Sequence, residues 1–399
     1  MHWRSSILVL PLLGLFFWST APIACSETLE EEPLEPLQES PKAAMTGLVA
    51  SATTVLPLSL SESAFADPAN ATTIRSALAS MSAHTDVLKE YAWGKDPGFA
   101  WLARSLGQDV ADATAAFDGR RYEEARFRTQ RLTSNCVTCH SRLPSANDSD
   151  LGGHLLSGVD TSALHPDELA QLQLATRQFD AAAGTYEALL KEPPVSGGVG
   201  RLWYFVDYLV LSLRVLGDTE RPLPILRVWA ASETLPSFMK RDVRAWLSSL
   251  EALRAQALPK TASKEEQLAR AREMVAKAQD TPGAPSGQQE LVNWIGATAL
   301  LHRVVDGEQS KSPAMAEAWY LLGVAEARIG HSPWLSQPEY YLETAVRTAP
   351  ETQFAKDALA HLEWHVAVQY TGSGGENVPP EVQAELEKLR GLIDGAAKP

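Results

Sequence analysis

Four runs between Met45 and His140 place apolar residues at alternating steps of three and four, a spacing that only a helix turns to one side. The first run is Met45, Leu48, Ala52, Val55. The second is Ile74, Leu78, Met81, Thr85, Leu88, behind the start signal Asp67-Pro68. The third is Phe99, Leu102, Leu106, Asp109/Val110, Ala113, Phe117, with Pro97 at its first turn and Gly119 as a stop. The fourth is Tyr122, Ala125, Thr129, Leu132, and it runs on to residue 140. Four such stripes fit the seam of an antiparallel four-helix bundle. Strand-like alternation is nearly absent elsewhere, so the expected fold class is all-α.

The fourth run ends in Cys136-Val137-Thr138-Cys139-His140. Thiols at i and i+3, followed at once by an imidazole, are what covalent haem attachment requires. Each sulfur forms a thioether to one vinyl group, and the adjacent histidine reaches the iron. The same spacing occurs in zinc half-sites and in redox dithiols. Zinc takes four ligands, and the chain's third cysteine is the distant Cys25. A redox Cys-x-x-Cys opens a helix after a strand, whereas this pair closes a long helical pattern. One covalent haem c is therefore the expected cofactor. The cysteines share a face with the core residues of their helix, so the macrocycle is expected inside the bundle.

A bundle whose last helix ends in Cys-x-x-Cys-His resembles cytochrome c-prime and its low-spin relatives, the class II cytochromes c. The resemblance covers residues 42–145, about a quarter of the chain. It implies that Cys136 and Cys139 hold the haem and that His140 is the proximal iron ligand. It also implies that a first-helix residue faces the sixth coordination position, and Met45 is the match. A thioether there gives a six-coordinate iron suited to electron transfer. If Met45 only packs, the iron stays five-coordinate and open to NO or CO. Met81, on the second run, has the smaller claim. Arg142 is the basic residue near the motif and the candidate partner of a haem propionate, its other reading being a solvated charge. The small electron-transfer cytochromes c instead place the motif early and a ligand Met downstream. Here the next Met is Met239, in a different pattern.

The N-terminus carries Arg4, an apolar run from Ile7 to Trp18, and small residues up to Ala24-Cys25. The run is too short to span a bilayer and reads as an export signal over residues 1–25. Ile23-Ala24-Cys25 resembles the end of a lipobox, which makes Cys25 the acylated residue of a lipoprotein. Ordinary cleavage nearby is the other reading. Residues 26–41 carry six glutamates and two prolines before Pro41, an acidic stretch expected to act as a disordered tether. The expected location is extracytoplasmic, with membrane contact through a lipidated Cys25 alone. A formal charge of −14 argues against nucleic acid as a partner.

Helical patterns resume in residues 162–395. Trp319, Leu322, Gly323, Leu342, Ala345 and Pro350 resemble a tetratricopeptide repeat, with Glu326 where the repeat carries an aromatic. The pattern Ala175, Phe179, Ala182, Tyr186, Leu189 gives a second unit, closed by Pro193-Pro194. Weaker hairpins lie at Arg201–Leu216, Leu235–Gln256, Ser263–Gln279 and Gln288–Val305. The region is expected to be an α-solenoid of degenerate repeats, which implies a docked protein partner, redox or signalling. Trp203, Tyr204, Phe205 and Tyr208 form either core or a peptide floor. His361 and His365, at i and i+4, form a weak metal pattern. No phosphate loop and no nucleophile elbow occurs in the sequence. A non-enzymatic electron carrier is the first expectation. A haem-based gas binder or sensor, and a scaffold with structural haem, are the alternatives.

Overall fold

Ser40 accepts a hydrogen bond from the Ala43 amide, and Pro41 follows it with no amide proton to orphan, so the first long helix starts there. The computed structural model describes residues 40–92, 97–142, 161–193, 201–259, 261–280, 288–306, 308, 310–329, 338–372 and 375–396. Expectations for Cys25, the export signal, residues 26–39 of the tether and the linker at 145–160 lie outside these residues. Among the described residues no helix is long and apolar enough to cross a membrane.

The structure is all-helical apart from one two-stranded ribbon, Thr371–Gly372 paired antiparallel with Gly375–Glu376. The N-terminal part contains α1 (Pro41–Leu60), the short α2 (Glu62–Ala66), α3 (Ala71–Ala92), α4 (Pro97–Asp118) and α5 (Tyr122–Arg142). The four long helices contact one another in closed order: α1 on α3, α3 on α4, α4 on α5, and α5 back on α1. Their shared core is built from Leu48, Val55, Ile74, Leu78, Leu88, Leu106, Val110, Phe117, Ala125 and Leu132.

Two details of this part differ from the sequence reading. The inward face of α1 centres on Ala44, Leu48, Ser51 and Val55, which leaves Met45 and Ala52 half-buried at its flank. Ser51 can sit inside because it donates to the Gly47 carbonyl at 2.9 Å. The second difference is α2, which no periodicity announces. It is one turn long, and it seats Phe65 fully buried, edge-on to Phe117 at 5.4 Å.

The helices that follow are α6 (Pro166–Ala175), α7 (Phe179–Leu190), α8 (Arg201–Val210), α9 (Leu223–Ala231), α10 (Ser237–Ala255), α11 (Lys264–Asp280), α12 (Leu291–Val305), α13 (Pro313–Ile329), α14 (Pro338–Thr348), α15 (Gln353–Gln369) and α16 (Pro380–Ala396). Successive members pack on each other through much of the series: α6 on α7, α9 on α10, and α11 through α15 in turn, with α16 closing on α14 and α15. Their buried residues form a second, continuous cluster from Ala170 to Ile393.

The pattern read from Ala175 to Leu189 falls on two helices, α6 and α7. Arg177 stands at φ 62°, the Gln178 amide donates to the Gln173 carbonyl at 2.8 Å, and the Arg177 amide donates to Leu174 at 3.0 Å. This is a Schellman closure with arginine in the left-handed position where glycine is usual. The same closure ends α4, where Arg120 has φ 58° and Gly119 stands one place earlier. The stop residue at that turn is therefore Arg120.

The α13–α14 hairpin crosses closely at Gly323. Gly323 of α13 meets Leu342 of α14 so closely that a Cβ would lie 2.7 Å from Leu342 Cγ and 3.2 Å from its backbone nitrogen. Both obstacles sit near the backbone, where little can yield. Gly323→Ala gains about 1 kcal/mol of helix propensity but overpacks the crossing by about 1–3 kcal/mol. The expected net result is a lower melting temperature in a thermal scan. An unchanged or raised value would show that the hairpin adjusts freely.

Phe205 and Tyr208 are fully buried, and Phe205 packs edge-on against Trp229 at 4.6 Å and tilted against Trp246 at 5.8 Å. That part of the aromatic cluster is core. The Trp203 side chain lies outside the described residues.

Candidate functional site

Helix α5 carries the Cys-x-x-Cys-His sequence on its last two turns. Its start is fixed by charge: Glu123 and Glu124 lie in the first turn, where the helix dipole favours them, and Glu124 is held below the usual carboxylate range by hydrogen bonds from Arg121 and Arg128. Its inward face is Ala125, Thr129 and Leu132, and Cys136 stands one further turn along that face. The helix is 21 residues long and unbroken, so residues 136, 139 and 140 fall on one side of it by period alone.

Cys136 is half-buried and its sulfhydryl faces the Leu132 carbonyl at 3.5 Å. Burial pushes its thiol up to about 11. A redox cysteine needs the opposite shift, toward thiolate at neutral pH. In the unmodified chain, with Cys25 and Cys139 substituted, alkylation of Cys136 should therefore rise with pH toward a midpoint near 11. A midpoint near the ordinary thiol value of about 8.5 would place the sulfur in water instead.

Cys136 packs against the second hydrophobic cluster, the one formed by α6 and the helices after it, and α5 contacts α6 directly. The sequence reading turned this thiol into the bundle, among the N-terminal helices. The neighbour it overlooked is α6, whose pattern begins beyond the linker. The side chains of Cys139, His140 and Arg142 lie outside the described residues, so their expected roles are neither placed nor opposed.

Asn135, which the sequence reading passed over, is buried at 3 % exposure directly before Cys136. It donates to Asp109 Oδ2 at 2.5 Å and accepts from Ser105 Oγ at 3.4 Å, both on α4. An amide fixed by two partners of another helix sets the rotation of α5 where the motif begins. Asp109 appears in the third run as a polar residue at a core-facing position, which was the available signal.

Of the other long helices, α1 and α4 pack on α5. Because the long helices alternate in direction, the start of α1, the end of α3 and the start of α4 lie at the same end as residues 132–142. Met45 is half-buried there against the N-terminal cluster, and Met81 is buried in it. His84 of α3 lies across α1 at Gly47: a Cβ on residue 47 would fall 2.0 Å from His84 Nε2. Thr85 beside it approaches Gly107 of α4. A thiol, a thioether and an imidazole are side-chain types that a covalently held porphyrin and its iron accept, so the fit to the group is one of donor chemistry, with Cys136 itself packed toward the second cluster.

A second polar centre lies in the later helices. Helix α8 runs into a π-helical turn, Leu211–Val215. Arg214 on that turn reaches Glu326 of α13 at 2.8 Å and donates to Thr298 of α12 at 2.9 Å. His302 of α12 stands 3.6 Å from the same carboxylate and edge-on to Tyr341 of α14. Glu326 therefore forms an ionic tie between three helices. The other sequence candidates are engaged locally. His365 pairs with Glu339 at 3.0 Å, and His361 lies edge-on to Tyr320. Comparison with protein-family models, with curated proteins and with solved structures returned no match.

Proposed function

We propose that the chain is an extracytoplasmic c-type cytochrome that carries one covalent haem and passes electrons to or from a protein docked on its later helices. The observation that carries this reading is the Cys136–Cys139–His140 spacing on the last turns of an unbroken helix whose inner face is core. Cys136 and Cys139 would hold the porphyrin, and His140 would ligate the iron. Haem held there supplies one-electron chemistry between ferrous and ferric iron. The chain's own contribution is placement: Asn135, tied to Asp109 and Ser105, fixes the rotation of α5, and α6 covers Cys136.

The contact of Cys136 with the second cluster supports a role for the later helices near the electron's exit. A haem attached there would lie beside α6, at the start of the helical series that would receive the partner. The arrangement resembles a repeat scaffold of the tetratricopeptide kind, whose curved surfaces dock other proteins. Export and acylation at Cys25 would hold the molecule at a membrane surface.

Spectra of the reduced protein with and without CO test the reading. A low-spin spectrum indifferent to CO supports electron transfer. Prompt CO uptake would move the assignment to gas binding, and a colourless protein would refute both.

A further inference from the structure

We propose that the outward face of α5, centred on Phe127 and Arg131, is a second docking surface, apart from the later helices, for a protein that presents a small acidic patch around an apolar centre. Haem attachment is not required for it.

One stretch of the sequence departs from the charge of the rest. The chain carries 49 aspartates and glutamates against 35 lysines and arginines, yet from Ala125 to Asn147 it holds Arg126, Arg128, Arg131 and Arg142 and no carboxylate side chain. Helix period sorts the described part of this stretch into faces. Ala125, Thr129 and Leu132 turn inward. Arg128 turns to α4, where it meets Asp112 at 3.0 Å, and also pairs with Glu124 one turn back. Arg126 and Gln130 turn to the end of α1 and donate to the Ser59 carbonyl. Phe127 and Arg131, one turn apart, are left between these flanks and face solvent. Cys136 stands about two and a half turns beyond Phe127, which puts it on the opposite side, toward α6.

Phe127 is 58 % exposed. A lone exposed apolar residue is ordinary, but here the Arg131 guanidinium stands over the ring, 5.6 Å from its centroid. Aromatic residues and arginine are the types enriched in protein interfaces. The charge on this face also lacks a counter-charge. Among the described residues neither Arg126 nor Arg131 has a carboxylate partner, and neither has the exposed Arg104 of α4, which stands beside the Ser105 that meets Asn135 of α5. A guanidinium with its outer edge in water accepts a carboxylate in fork geometry.

The narrowness of the face selects the class of partner. The chain as a whole has a formal charge of −14. A nucleic acid or an anionic bilayer spreads negative charge over an area wider than one helix, so it would also meet the repelling carboxylates around it. A folded protein with a few carboxylates set about an apolar residue reaches the arginines and Phe127 alone.

The test uses the full chain and a labelled probe peptide in which glutamates flank leucines, read by fluorescence anisotropy at low and at near-physiological salt. Wild-type protein should bind the probe saturably despite its own negative charge, and more weakly as salt rises. Arg131→Glu should weaken binding about tenfold, and Phe127→Ser by a smaller factor. Lys388→Glu, an exposed site on α16 with the same change of net charge, should leave binding unchanged. All three side chains are exposed, so circular dichroism should show the helix content of the wild type in each variant. Sedimentation with phosphatidylglycerol vesicles should be the same for wild type and Arg131→Glu, whatever anchor the N-terminus supplies. No saturable binding of the peptide, or equal affinity in wild type and Arg131→Glu, would overturn the proposal. So would vesicle binding that is lost in Arg131→Glu, which would assign the face to a membrane instead.

Discussion

Replacing Cys136 and Cys139 together by alanine should give an exported, helical and colourless protein. In the proposed attachment two thioethers would be the covalent link, so the double variant would have no motif sulfur through which haem could survive denaturation. Single variants should differ from it, because one remaining thiol still allows one bond and a weakly stained band. The fold should persist in the double variant: Cys136 is half-buried, while the buried residues of α5 among those described are Ala125, Thr129, Leu132 and Asn135. Losing the Cys136 sulfur removes a small apolar contact with the second cluster, on the order of 1 kcal/mol. Circular dichroism should therefore show retained helix while the haem stain disappears. Stain that persists at wild-type strength in the double variant would refute the attachment site.

Glu326→Ala should be strongly destabilising. The Glu326 carboxylate is 3 % exposed and faces Arg214, itself nearly buried, and His302. Removing one partner leaves Arg214 charged and dry, which costs about 3–5 kcal/mol in comparable buried pairs. The Arg214 Nε already lacks a hydrogen-bond partner among the described residues, so nothing nearby compensates. Replacing both partners by apolar residues, Arg214→Met with Glu326→Leu, should recover most of the loss, because an apolar pair needs no counter-charge. Denaturant unfolding of the single and double variants measures both. A double variant as unstable as Glu326→Ala would show that the ion pair is not the origin of the effect.

The same pair sets a dependence on pH. Burial pushes the Glu326 carboxyl up, but the Arg214 and His302 charges outweigh it and hold the group below its ordinary value of 4.5. A folded-state value below the unfolded one means the unfolded chain binds the proton first as pH falls. The contribution is therefore complete above about pH 5 and is lost as pH drops through the folded value. Wild-type stability should fall more steeply below that point than the stability of the apolar double variant. Parallel curves would assign the acid sensitivity to other carboxylates.

The helices of the N-terminal part were legible because their cores repeat at helical period: Ile74, Leu78, Met81, Thr85 and Leu88 are all buried as read. The α13–α14 crossing was legible for a different reason, since Gly323 opposite Leu342 is a size match between two positions. What escaped had no periodic signal. Phe65 sits on a single turn, and Arg120 and Arg177 end helices in a conformation that glycine normally announces. Asn135 is a polar residue at a buried position, where pattern reading expects an apolar one and passes over the exception. The outlook of Cys136 toward α6 depends on how two separated segments pack, which a stripe on one helix does not encode.

One measurement reaches the centre of this account. The mature protein, purified from a host that exports it and attaches haem c, is denatured and weighed intact. The expected result is the mass of the processed chain plus one haem, in a band that stains for haem on a denaturing gel. A mass equal to the bare polypeptide, with an unstained band, would contradict it.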